Sequence, residues 1–280
     1  MIEVPRHDID ARSIREVDAG SVAPVVSLAR LPARPDGPNF SRSMDGTLLA
    51  RMLVTDPAAQ RPRTWCFAHA TEQTVTRRFR APGIEYGFDR HGKVSGWRAA
   101  FWWALIARDV DAMGELVDYP VDRLREFGNG AFDDYHYEWA ALLQQAWRYG
   151  PKTVYAATRA LPVTSRLGAQ QVTEFLHRPA LDLFLRLADG DSEGFDWQLT
   201  QSLRLHRTFF DTPTWCHDPE AVFSLPLLAL CCWARDLGYR TPLRSPYLPA
   251  TFIDRPDWPH SPELADELSR VESARTRATG

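Results

Sequence analysis

Lysine is nearly missing from this chain. Of its 33 basic residues, only Lys93 and Lys152 are lysines. The replacement runs along the whole sequence, so it reads as the base composition of a GC-rich bacterial genome and not as a binding device. Cysteine is scarce as well. Cys66, Cys216, Cys231 and Cys232 form no Cys-x-x-Cys pair, which excludes the usual zinc and thioredoxin-like spacings. Adjacent cysteines in an apolar run also make a poor disulfide framework, so free, buried thiols are expected. A surplus of positive charge is lacking: the formal net charge is -3, whereas a nucleic-acid binder carries a basic balance or a basic stripe. Long apolar runs are lacking too, since residues 99–107 and 225–234 reach only about half a membrane span. The first residues are charged where a signal peptide is apolar. These absences predict a soluble, cytoplasmic protein whose partner is neither nucleic acid nor membrane.

The familiar chemical signatures are equally missing. There is no H-E-x-x-H, G-x-S-x-G, P-loop or G-x-G-x-x-G, each of which ties residue types at fixed spacing to a reaction or a phosphate. The glycines Gly128 and Gly130 precede a helix and read as a loop. The run Asp189-Gly190-Asp191-Ser192-Glu193-Gly194 opens like a calcium loop. Its ninth position is Trp197, however, and its twelfth is Thr200, where calcium needs a bidentate glutamate. An interhelical turn explains it better. No catalytic residue, metal ligand or cofactor site is assigned.

What is present is helical text. The 280 residues are 44% hydrophobic and 25% charged, enough for one large core. Three regions are expected: an N-terminal arm over 1–36, extended or partly helical; a helical domain over 37–258; and a polar C-terminal tail over 259–280. Within the arm, one short helix is predicted over 8–17. Apolar residues four apart predict a helix over 40–53, and another is predicted from Pro57 to about Gln73. Residues 74–93 alternate around Pro82-Gly83, making a small β-hairpin the single strand candidate. Ser95 is read as the cap of a helix over 97–109 that is apolar all round, which belongs at the centre of a core. Short helices are expected over 111–117 and 121–127.

Asp133 or Asp134 is the expected cap of a helix whose inner face is Tyr135, Trp139, Leu142, Ala146 and Tyr149. Helices over 152–160, 169–176 and 179–188 follow. Gly190 should end the last of these in the left-handed conformation, with Asp191 or Ser192 capping the next. That next helix puts Phe195, Leu199, Leu203, His206 and Phe210 on one side. A final core helix runs from Ser224-Leu225-Pro226 to Gly238. Short connections place neighbours antiparallel. The expected fold is therefore all-α, stacked antiparallel helical hairpins in one globular unit.

Ten tryptophans could suggest base or sugar stacking. Yet Trp102, Trp103, Trp139, Trp147, Trp197 and Trp233 lie in apolar helical segments, and a core role is expected for these six. Charge is segregated along the chain. Residues 61–98 hold eight basic side chains against three acidic ones, and residues 108–138 hold nine acids against Arg108, Arg123 and Arg125. The two stretches either neutralise one another across the fold or leave an acidic surface that steers a basic protein partner. The surface candidates are Asp109, Asp111, Glu115, Asp118, Asp122, Glu126, Asp133 and Asp134. The stretch Asp133 to Glu138 also concentrates titratable groups, with Asp133 and His136 at a spacing that can meet on one helix face.

Five stretches occur in a telling order: Trp97-Arg-Ala-Ala-Phe-Trp-Trp-Ala-Leu-Ile-Ala-Arg-Asp109, Tyr119-Pro-Val-Asp-Arg-Leu-Arg125, Phe132-Asp-Asp-Tyr-His-Tyr-Glu-Trp139, Leu187-Ala-Asp-Gly-Asp-Ser-Glu-Gly-Phe195 and Tyr247-Leu-Pro249. In this order the chain resembles the immunity protein 49 family of bacterial, often actinobacterial, proteins. The likeness covers about 95–258 and, more weakly, 37–66; residues 1–36, 74–93 and those past 260 depart from it. It implies an all-α cytoplasmic protein of polymorphic toxin systems that binds and neutralises a cognate toxin without catalysis. The family supplies no catalytic residue to carry over. Two other readings stay open: an α-helical interaction scaffold not tied to a toxin, and a hydrolase using the Asp133–Glu138 cluster.

Overall fold

The segment from Val94 to Ala107 has a single charged residue, Arg98, and eleven of its residues are buried. A helix with so little polar surface is stable only when other helices cover it on every side. In the computed structural model, which describes residues 3–6, 61–80, 93–216 and 218–279, this helix is the axis of the molecule. Among the described residues the α-helices of four or more residues are α1 (Arg61–Arg80), α2 (Val94–Ala107), α3 (Val110–Asp118), α4 (Val121–Gly128), α5 (Tyr135–Tyr149), α6 (Tyr155–Ala160), α7 (Arg178–Asp189), α8 (Ser192–Phe210), α9 (Leu225–Asp236), α10 (Ala250–Ile253) and α11 (Pro262–Thr279). Helix α2 packs against α1, α3, α4, α5 and α9, while α7 and α8 form a hairpin joined to this centre through α9. The fold is all-α. The one strand-like feature among the described residues is an isolated bridge between Glu3 and Arg244, where the Ser245 hydroxyl donates to the Val4 carbonyl at 2.8 Å.

Several expected local signals hold. Gly190 ends α7 with φ 80°, and the Asp191 carboxylate accepts the Gly194 N–H at 2.8 Å, so the calcium-like run is a C-cap followed by an N-cap. Phe195, Leu199, Leu203, His206 and Phe210 are all buried. Cys66, Cys231 and Cys232 are buried free thiols, with Cys216 half-buried.

Other expectations are corrected. Residues 74–80 are the last two turns of α1 and not a hairpin arm; the remainder of 74–93 up to residue 92 lies outside the described residues, as do the helices predicted over 8–17 and 40–53. The alternation of Thr74, Val75 and Thr76 imitates a strand. In the helix, the two threonine hydroxyls donate to the carbonyls of Ala70 and Glu72 four residues back, which spares them a solvent-facing side. Ser95 lies inside α2, whose N-cap is Lys93 without a side-chain bond. Trp197 is 59% exposed and Tyr149 is 68% exposed, so neither joins the core. The polar stretch after 259 carries α11, which lies on α1 with Leu264 buried.

Candidate functional site

The acidic residues are sorted by helical phase. On α3 the buried side is Ala112, Met113, Leu116 and Val117. Asp111, Glu115 and Asp118 are spaced four and three apart on the opposite side and are exposed. Tyr119-Pro120 stops α3, because the residue before proline is driven out of the helical region. On α4, Leu124 and Gly128 are buried while Asp122 and Glu126, four apart, are exposed. Asp134, at the start of α5, adds a sixth exposed carboxylate. Among the described residues three of the six pair with arginines: Asp118 with Arg148, Glu126 with Arg123 at 3.2 Å, and Asp134 with Arg125. Asp111 and Asp122 have no partner among the described residues. The face is thus acidic and solvated.

The other two candidates turn inward. Asp109 is the N-cap of α3, accepting the Ala112 N–H at 2.8 Å and the Gln73 side-chain amide at 3.3 Å. Asp133 is 5% exposed and caps nothing. Its carboxylate accepts the Thr164 hydroxyl at 2.9 Å and the N–H groups of Arg166 and Leu167 at 3.1 Å. Burial pushes this acid up, but the hydrogen bonds from Leu167, Thr164, Arg166 and Gly168 outweigh it and hold it below the usual carboxylate range. Asp133 therefore anchors the connection after α6, with its carboxylate turned away from solvent. Asp134 does not cap α5 through its side chain either.

The Asp133–Glu138 stretch is divided by the same phase. Asp134 and Glu138 face solvent, whereas Asp133 and His136 are buried with no bond between them. His136 packs on Tyr135, with ring centroids 4.0 Å apart, and against His177 at 5.1 Å. The Tyr135 hydroxyl meets His177 Nδ1 at 2.9 Å. No group of three metal-ligating side chains is assembled among the described residues.

Sequence reasoning missed what this inward side adjoins. Arg98, on α2, is 7% exposed, and its guanidinium lies 4.9 Å from the Trp139 ring centroid. Its Nη1 is buried without a hydrogen-bond partner. Burial lowers its pKa to about 10, partly opposed by Tyr135, so it stays a cation at neutral pH. Both histidines are held neutral. Burial, then the charge of Arg98, brings His177 down to about 3; burial, Arg98 and His177 bring His136 down to about 2. Arg98 and His177 line a cavity of about 220 Å³ between α2, the 170–180 segment, α8 and the start of α9. The signal that could have found Arg98 is its isolation, as the one charge in an otherwise apolar helix.

A family model described as immunity protein 49 matches residues 50–252. This span contains α1 to α9 and both features above: the acidic face and the buried arginine. Comparisons with curated proteins and with solved structures find no match.

Proposed function

Because the chain belongs to the immunity protein 49 family, we propose that it neutralises a cognate bacterial toxin in the cytoplasm by stoichiometric binding, without turnover, and that the acidic face of α3, α4 and the start of α5 receives the toxin. The observation that carries the surface assignment is the phase of the carboxylates. Asp111, Glu115, Asp118, Asp122, Glu126 and Asp134 stand outward together, while the apolar sides of the same helices are spent on the core. A solvated acidic face of this kind accelerates encounter with a basic partner more than it tightens the final complex. Among the described residues no helix is long and apolar enough to cross a membrane, which agrees with an encounter between dissolved proteins.

The test uses a candidate toxin sought among the genes beside this chain's own. Co-expression should restore growth and give a complex that co-purifies. Replacing Asp111, Glu115, Asp118 and Asp122 by Asn or Gln should slow association about tenfold at low salt, with the difference shrinking as salt is added. An unchanged on-rate would remove this face from the account. Both proteins soluble, with no rescue, would remove the function.

A further inference from the structure

Buried charges in folded proteins are paired, because an ion stripped of water needs a counter-charge and hydrogen bonds in return. Arg98 breaks that rule. It is more than nine-tenths buried, no described carboxylate forms an ion pair with it, and Nη1 has no acceptor. The Trp139 face offers it partial compensation but no hydrogen bond. Glu220 lies on the rim of the same cavity, where it is exposed.

The rest of the cavity adds to the positive potential. The first turns of two helices line it: Ser95 and Arg98 of α2, and Leu225 and Leu227 of α9, with Ser224 before them. Neither helix start has a side-chain cap, and the N-terminal end of a helix favours negative charge. The third wall is a π-helical turn, Thr173–His177, which brings Phe175, Leu176 and His177 to the cavity. Such turns are uncommon and concentrate at functional sites. A buried cation, two uncapped helix starts and an irregular turn converge on one space, and the acid that lines it, Glu220, is exposed at its rim.

We propose that this cavity binds a small free carboxylic acid with an apolar body, its carboxylate on Arg98 and its body against Trp102, Phe175 and Phe223. The shape of the cation selects the class. A planar carboxylate matches the guanidinium fork. The apolar lining rewards an aliphatic or aromatic substituent, and about 220 Å³ is below the range of drug-sized pockets, so the acid is small. The site is separate from the acidic face, and the toxin-binding proposal can fail without touching it.

The experiment titrates the full chain with acetate, phenylacetate and indole-3-acetate, each beside its neutral amide and beside inorganic phosphate, followed by calorimetry and tryptophan fluorescence. Saturable one-to-one binding of an aryl acid is expected, with its amide at least about tenfold weaker. Arg98→Met should remove that binding and, by deleting an unpaired buried charge, hold or raise the melting temperature. Should that variant fail to fold, Ala99→Leu, which fills the cavity from α2 and keeps Arg98, must abolish binding in a folded protein. Three results overturn the proposal: no saturable binding by any acid up to about 10 mM, equal binding of acid and amide, or phosphate binding as tightly as the acids. Displacement of the acid by the toxin would reassign the carboxylate to the toxin and overturn the free-acid assignment.

Discussion

Asp133 shows how far a single side chain can depart from its neighbourhood in sequence. Beside Asp134, and three residues from His136, it reads as a cap or as part of a titratable cluster. Its actual partners, Thr164, Arg166 and Leu167, lie 31 to 34 residues away, beyond any local rule. Asp133→Ala leaves two amides and a hydroxyl without their acceptor and should destabilise the fold by about 1–3 kcal/mol, read from urea denaturation. Arg98 was hidden for the opposite reason: its isolation is visible, but its burial depends on α5 and the π-helical turn. The histidines beside it set a pH dependence. Their folded values, about 2 and about 3, lie below the ordinary 6.5, so below pH 6.5 the unfolded chain takes up protons that the fold refuses. Stability is therefore complete above pH 6.5 and falls as pH drops from there toward 3, by up to about 1.4 kcal/mol per pH unit for each histidine. Arg98, Tyr135 and the second histidine are the groups facing each ring. His136→Phe keeps the packing and should flatten that slope in urea titrations repeated from pH 7 to 4; an unchanged slope would mean that the ring already exchanges protons in the fold.

At the scale of elements, legibility tracked helical phase. Helix α2 was readable because nine consecutive apolar residues leave only one environment that suits them. Trp102, Trp103, Trp139 and Trp233 are buried as expected, and Trp147 is partly buried against them. Trp197 departs from the expected core role because its helical phase, and not its apolar neighbourhood, sets its exposure. It stands two residues from Phe195, about 200° around the helix, so burial of Phe195 and Leu199 turns it outward. Trp65 and Trp258 illustrate the other limit. They stack at 6.3 Å and are both fully buried, yet nothing near either residue announces the other. The turn between α7 and α8 was readable because its chemistry is local. Gly190 sits at φ 80°, and a Cβ there would meet the Lys152 side chain at 2.9 Å. Gly190→Ala should destabilise by about 1 kcal/mol or more, measurable as a lowered urea midpoint with an unchanged slope.

For the whole molecule, the segregation of charge noted in the sequence survives folding only in part. The six outward carboxylates remain a surface, but among the described residues three are tied to arginines of α4 and α5. Asp109 and Asp133 are spent on structure. Arg98, from the basic stretch, goes to the interior instead of balancing the acids. A member of this family that works by occupying its toxin, as proposed, differs from a catalyst in its stoichiometry. The direct measurement is a titration of this protein into a fixed amount of purified toxin while the toxin's own activity is followed. The account predicts a linear loss of activity that breaks at one equivalent, with the complex isolable at that ratio. Inactivation by a small fraction of an equivalent, or full toxin activity in the presence of excess folded protein, would contradict it.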